Sequence, residues 1–184
     1  MYKLAFDPSL GSYHFRTENG LTYLCGLRNR TRDLSPVLGI YDIEVWEFYF
    51  NSYKTDEQSG IRKIFDKMVS TTISHLLTKF LTTDLRVVLY VCDSSDGRHI
   101  VRHNLFKIWF NNLDEQENYI RIPIAMDLND VSLGMSASAN GGVIIRKDFP
   151  HMEVLQIELI DKLPNIFREK IGLLQPSLCP TTAI

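Results

Sequence analysis

The residues best suited to chemistry lie between an apolar segment and an amphipathic one. Asp93 directly follows the apolar segment 87–92, and Asp96 and Arg98 come within the next six residues. Ligands favour the carboxyl ends of strands in helix-flanked sheets, and helix N-termini attract anions. If a strand ends and a helix begins here, the stretch is a candidate anion or ligand site. Its members are Asp93, Asp96, Arg98, His99 and Arg102.

The same residues have a structural interpretation, which the sequence favours over binding. Asp96 is a good N-cap for the following helix, and Asp93 can cap the turn. Arg98 and Arg102 are four residues apart, so both can bond those acids in one Asp–Arg network. The two acids formally cancel the two arginines. The binding of an anion would then depend on the helix N-terminus and on a partly charged His99.

Standard signatures of catalysis and metal binding are missing from the chain. His99 and His103 share one side of the expected helix, but their spacing identifies no third ligand. We therefore expect no metal site and no cofactor. The small-residue segment 137–142 lacks the Lys and Ser/Thr of a phosphate loop, and no serine-nucleophile, paired-carboxylate or dinucleotide signature occurs. Whether the chain is an enzyme stays open.

A recognisable set of residues runs from the apolar segment 87–92 into the amphipathic segment that follows it: Cys92-Asp93, Asp96-Gly97-Arg98, Arg102, Phe106 and Trp109-Phe110. This set resembles a family of small uncharacterised bacterial proteins, common in Bacteroidetes and classed as a domain of unknown function. Those proteins also open with an aromatic-rich strand and an Asn-Gly-type hairpin, and the likeness covers about residues 1–150. The family pattern has glutamine where this sequence has His99. The resemblance implies a bacterial cytosolic protein and no particular activity.

Apolar periodicity predicts the elements that would position these residues. Residues 56–82 repeat apolar side chains every three or four positions, which indicates a long helix with Asp56 as N-cap. Residues 85–92 have the continuous apolar character of a central strand covered on both faces. A second helix should follow, ending near Asn111. Its expected buried stripe is Val101, Leu105, Ile108 and Trp109.

The remaining segments predict mainly strands. The first third alternates apolar and polar residues around Asn19-Gly20, which indicates a hairpin. Pro123 predicts an edge position for the strand at 119–126, and a second hairpin is expected around 139–141. Residues 150–171 fit a helix with a break or kink at Pro164, although a short strand also fits their pattern.

These elements predict an α+β fold. We expect a mostly antiparallel sheet, with a mixed sheet as the alternative, two long helices packed largely on one face, and a C-terminal helix. The 184 residues, 45 % of them hydrophobic, suit one domain over residues 1–172 with a tail at 173–184.

Composition and charge narrow the expected location and partners. No window resembles a signal-peptide core or a membrane span, and the three cysteines show no paired spacing, so we expect a cytoplasmic protein without membrane contact. The formal net charge of -2 argues against general nucleic-acid coating. Arg28, Arg30 and Arg32 alternate, so nucleic-acid contact stays a less favoured alternative.

The expected strand at 43–50 carries aromatic residues on both faces, which is unusual for a strand that buries only one of them. Trp46, Phe48, Tyr49 and Phe50 are therefore the candidate interface for self-association or a protein partner. The leading hypothesis is a non-enzymatic protein-interaction module of the accessory, toxin–antitoxin or defence type. The alternative is a nucleotide- or nucleic-acid-directed enzyme or binder that uses Asp93, Asp96, Arg98 and Arg102.

Overall fold

A mixed β-sheet forms the centre of the computed structural model, which describes residues 1–32, 34, 43–53, 66–83, 85–92, 97–127 and 138–173. Within this part of the chain the sheet has seven strands in the order β1-β2-β3-β4-β5-β7-β6. The pair β4–β5 is parallel and every other pair is antiparallel. The strands are β1 (Ala5–Asp7), β2 (Ser12–Arg16), β3 (Thr22–Asn29), β4 (Glu44–Tyr53), β5 (Arg86–Cys92), β6 (Tyr119–Asp127) and β7 (Ser138–Arg146).

Three long α-helices pack on this sheet in the described residues. They are α1 (Lys67–Leu81), α2 (His99–Asn111) and α3 (Met152–Leu173), with a 3₁₀ turn at Gln116–Asn118. Buried residues of α1 and α2 cluster with one face of the sheet, and those of α3 cluster with the opposite face. The α+β class and the two helices on one face are therefore confirmed, and the sheet is the mixed one.

Several local predictions are confirmed. The β2–β3 hairpin turns at Asn19-Gly20, where Gly20 has a φ of 84° that a side chain would disfavour. Strand β5 lies between β4 and β7, and Val87 through Tyr90 are buried. Strand β6 is an edge strand, as Pro123 indicated, because a proline cannot donate a ladder hydrogen bond.

The hairpin expected around residues 139–141 is wrong. Strand β7 passes straight through this segment, and Asn140 pairs with Cys92 on one side and Ala125 on the other. Pairing on both sides overrides the turn preference of Asn-Gly. Gly142 is needed because the backbone passes close to the Tyr90 side chain, and not because the chain turns there. A Cβ at this position would lie 2.5 Å from the Tyr90 hydroxyl oxygen.

Helix α1 begins later than predicted. Its N-cap is Asp66, whose carboxylate accepts a hydrogen bond of 2.8 Å from the Met68 backbone N–H. The predicted cap, Asp56, lies outside the described residues. Ile73 and Leu77, both predicted on the apolar face, are fully buried.

Helix α2 lies where it was predicted, and its predicted buried stripe is correct in part: Trp109 is buried, Leu105 and Ile108 are half-buried, and only Val101 is exposed. Phe106, Trp109 and Phe110 are buried, whereas Val101 is 59 % exposed. Apolar residues occur on two flanks of this helix, and the bulkier aromatic flank takes the core because it removes more area from water. The N-cap residue is Arg98, which makes no side-chain capping bond, and the predicted cap Asp96 lies outside the described residues.

Helix α3 resolves the ambiguous segment in favour of a helix. It continues through Pro164 without a break and ends at Leu173. Leu155, Leu159 and Leu163 are buried at helical spacing against the sheet.

Candidate functional site

Strands β4 and β5 diverge after a short parallel pairing. Their register runs from Glu44 opposite Arg86 to Glu47 opposite Leu89. Beyond that point β4 stays paired with β3 as far as Tyr53, while β5 stays paired with β7. The two strands therefore separate at the carboxyl ends of the parallel pair. We call the gap between them the wedge; helix-flanked sheets tend to hold ligands at this position.

A cavity of about 530 Å³ occupies this wedge, and one flank of α2 forms its wall. Arg98, Arg102 and Glu47 contribute charge to the lining, and Asn51 and Ser52 contribute neutral polar groups. Most of the remaining wall is aromatic. Its rings belong to Tyr23, Phe48, Tyr49, Phe50, Phe106 and Trp109.

The charged side chains that line the cavity differ in how they are paired within the chain. The Glu47 carboxylate is held by Arg30, whose Nε and Nη2 both lie 2.7 Å from the same carboxylate oxygen. Arg98 and Arg102 also interact with other groups of the chain. A guanidinium carries five N–H donors, so it can keep one such partner and still bind an oxyanion.

The structure brings together part of the predicted anion site. Arg98, the N-cap of α2, and Arg102 in its first turn line the same cavity, as their four-residue spacing indicated. His99 is not part of that lining, and its buried Nδ1 has no hydrogen-bond partner among the described residues. Asp93 and Asp96 lie outside the described residues, so the Asp–Arg network stays a prediction.

The residues of the predicted interface make contacts within the chain. Phe48 is 2 % exposed and packs edge-on against Phe106, with ring centroids 5.7 Å apart. Trp46 packs edge-on against Phe80. Tyr49 and Phe50 line the cavity, and both are half-buried. Whether this strand also contacts a partner stays a prediction.

Sequence reasoning missed the part of the cavity that comes from elsewhere in the chain. Tyr23 reaches it from β3, and Asn51 and Ser52 reach it from the end of β4. The register of β4 against β3 and β5 brings these residues to α2, and no local motif encodes that register. The one signal in the sequence was the strand that is aromatic on both sides.

Two of the three alternating arginines at residues 28–32 contact side chains of β4. The Arg28 guanidinium lies 5.6 Å from the centre of the Tyr49 ring, and Arg30 is bound to Glu47. These two arginines therefore hold β4 against the C-terminal end of β3.

The other flank of α2 carries a polar cluster that the sequence did not reveal, which we call the Tyr90 cluster (Tyr90, His103 and Arg121). Arg121 donates from Nε to the Tyr90 hydroxyl at 2.8 Å, and its Nη2 lies 2.7 Å from His103 Nε2. Burial, and then the Arg121 charge, lower the pKa of His103. Burial raises the pKa of Tyr90 to about 12, so this phenol stays protonated at neutral pH.

The described cysteines are not suited to nucleophilic chemistry. Cys25 and Cys92 are buried and free, and burial raises the pKa of each thiol to about 12. Among the described residues no three histidine, cysteine or acidic side chains are grouped so that they could hold a metal ion.

Comparison with known proteins gives one match. Residues 65–152 match the model of a family of unknown function (DUF6169). The matched segment contains β5 and α2, which form one side of the cavity, whereas β3 and β4 fall outside it. No curated protein and no solved structure matches the chain. None of the described helices is long and apolar enough to cross a membrane.

Proposed function

We propose that this domain binds a nucleotide-like ligand, a planar ring joined to an oxyanion such as phosphate, in the cavity between β4 and β5. One observation carries the proposal: Arg98 and Arg102 face the same cavity as a set of aromatic rings, at the carboxyl ends of diverging parallel strands. This is the alternative that the sequence raised, now with a cavity to hold the ligand.

The chemistry of the lining fits both halves of such a ligand. Arginine binds phosphate through two parallel N–H donors, which gives direction as well as strength. Aromatic side chains stack on nucleobases at about 1 to 3 kcal/mol per base. The Asn51 amide and the Ser52 hydroxyl can bond polar edges of the ring. The volume of about 530 Å³ is typical of small-molecule sites.

Calorimetric titration of the purified chain tests the proposal, with a nucleoside monophosphate, the nucleoside alone and inorganic phosphate as probes. We expect the monophosphate to bind most tightly, because only it fills both parts of the cavity. Arg102→Gln should weaken it about tenfold, the effect of losing one charge-assisted hydrogen bond. The matched control is Arg16→Gln, an exposed change on β2.

Two results would contradict the proposal. One is the absence of binding by any probe at millimolar concentration. The other is equal affinity in the Arg102→Gln and Arg16→Gln variants. A short single-stranded oligonucleotide that binds far more tightly than the monophosphate would instead identify a nucleic-acid site.

Self-association through β4 is the second candidate function. The observation in its favour is that Trp46, Tyr49 and Phe50 keep part of their surface exposed despite their contacts within the chain. Light scattering tests it, and the mass of a dimer is expected. A monomer that persists at high concentration would remove this candidate and leave the ligand proposal intact.

A further inference from the structure

We propose a second oxyanion site, formed by Arg121 and His103 in the Tyr90 cluster, which takes up a proton when a carboxylate or phosphate binds. The site lies on the flank of α2 that packs toward β6 and β7. It does not depend on Arg98, Arg102 or the cavity, so either proposal can fail without the other.

The first step is the charge balance of Arg121. This half-buried guanidinium contacts the Tyr90 hydroxyl and the His103 imidazole, both of them neutral groups. Among the described residues no carboxylate lies within ion-pair distance of it. A charge that is partly removed from water normally has a counter-charge, because desolvation is otherwise uncompensated. A bound anion would supply one.

The second step is a count of hydrogen-bond donors. A guanidinium has five N–H groups, and Arg121 uses one at Nε and one at Nη2, which leaves three. Because His103 Nε2 accepts from Arg121, the imidazole proton lies on Nδ1. That nitrogen is buried and has no partner in the described structure. The two nitrogens of an imidazole point in divergent directions, so an oxyanion at Arg121 would use the spare guanidinium donors rather than the Nδ1–H.

The third step is the proton. His103 faces Tyr90 from β5 and Arg121 from β6, while β7 contributes the uncharged Gly142 and α1 packs on α2 through the hydroxyls of Ser70 and Ser74. Protonated His103 would stand 2.7 Å from a guanidinium nitrogen, so the imidazole stays neutral. Proton uptake places a hydrogen on Nε2 and so breaks the hydrogen bond from Arg121. An anion between the two groups would accept from Nε2–H and from the guanidinium together, which offsets their repulsion. Binding should therefore strengthen as the pH falls through the ordinary histidine range near 6.5.

The test follows the His103 imidazole resonances of the full chain by NMR during titrations with acetate and with phosphate, at about pH 6 and pH 8. Acetate keeps one charge over this range, so it isolates the histidine proton, whereas phosphate gains a charge. We expect saturable shifts at His103 and an acetate affinity about fivefold or more higher at the lower pH. Arg121→Gln should abolish the shifts. Arg146→Gln, which changes an arginine already paired with Asp148, should not.

A second variant keeps the test decisive if Arg121→Gln fails to fold. His103→Gln retains a side-chain oxygen that can accept from Arg121, but it cannot titrate. Acetate should still bind, as read from the Arg121 Nε–H resonance, with equal affinity at both pH values. His103 resonances that respond to neither ion would overturn the proposal, and so would an undiminished pH dependence in His103→Gln.

Discussion

The two faces of the sheet are built from different side chains. The face under α1 and α2, the aromatic face, buries Phe15, Phe48, Tyr90 and Trp109 among others. The face under α3, the aliphatic face, buries mostly leucine, isoleucine and valine, as at Leu89. Both faces exclude water. Most buried rings of the described structure lie on the aromatic face, as do the Tyr90 cluster and the α2 wall of the cavity.

Hydroxyl groups show the difference most clearly. Helix α1 buries Ser70, Thr72, Ser74 and Thr78 on its inner side. Ser74 donates to the Trp109 carbonyl at 2.9 Å, and Thr78 accepts from the Asp114 backbone N–H at 3.1 Å. Such bonds are directional, so they fix how α1 lies against α2. The aliphatic face relies on the non-directional burial of apolar area.

The aliphatic face therefore supports the fold, whereas the aromatic face carries the groups that could bind a ligand. Branched aliphatic side chains interdigitate closely and favour a filled core. On the aromatic face, β4 and β5 diverge after their short parallel pairing. The cavity opens at such a point, between the Phe50 ring and the Arg102 flank of α2.

The largest expected effect is on the aliphatic face. Leu159 is 1 % exposed, and Leu159→Ala should lower the free energy of unfolding by about 2 to 5 kcal/mol, since it leaves a void as well as losing transfer energy. Urea unfolding measures this change. The ligand affinity of the folded variant should stay unchanged. A parallel loss of affinity would break the separation between the two faces.

A smaller effect is expected at the α1–α2 contact. Ser74→Ala removes the bond to the Trp109 carbonyl, which keeps a second donor in the Asn112 backbone N–H. The loss should be about 1 kcal/mol, the net value of one hydrogen bond. Thr71→Ala, at an exposed position of the same helix, is the control for helix propensity. Equal melting temperatures for the two variants would show that this hydroxyl does not stabilise the contact.

The smallest effect concerns pH and the Tyr90 cluster. Because the pKa of His103 is lowered in the folded protein, the unfolded chain binds this proton more readily. The free energy of unfolding should therefore fall as the pH drops from about 6.5 toward the pKa of His103 in the folded protein. Above that range the contribution of His103 to stability should be fully present. His103→Gln should flatten the profile between about pH 5 and 7 in buffers without oxyanions. An identical slope in both proteins would contradict the contact with Arg121.

Local sequence signals predicted much of the fold because they act over a few residues. Asn19-Gly20 turns a hairpin, Pro123 stays on an edge, and the apolar run in β5 fills a central strand. The same reasoning failed at Asn140, where pairing with two neighbouring strands outweighs a turn preference. It also failed at Val101, because a helix with two apolar flanks does not reveal which one faces the core.

The candidate site was predictable only in part. The spacing of Arg98 and Arg102 gave one wall, since residues four apart share a helix flank. The opposite wall depends on the register of β4, and the Tyr90 cluster depends on Arg121 reaching across β7 from the edge strand. These contacts join residues far apart in the chain, where no periodic pattern records them.

The most direct test of the ligand proposal is an amide-resonance map of the full chain titrated with a nucleoside monophosphate. Our account predicts saturable shifts concentrated at residues 47–52 of β4 and at residues 98–105, the N-cap and first turns of α2, which form the two walls of the cavity. Residues around Leu159 on the aliphatic face should stay unshifted. Shifts on the aliphatic face, or none in either wall at millimolar ligand, would contradict the claim that the wedge between β4 and β5 is the binding site.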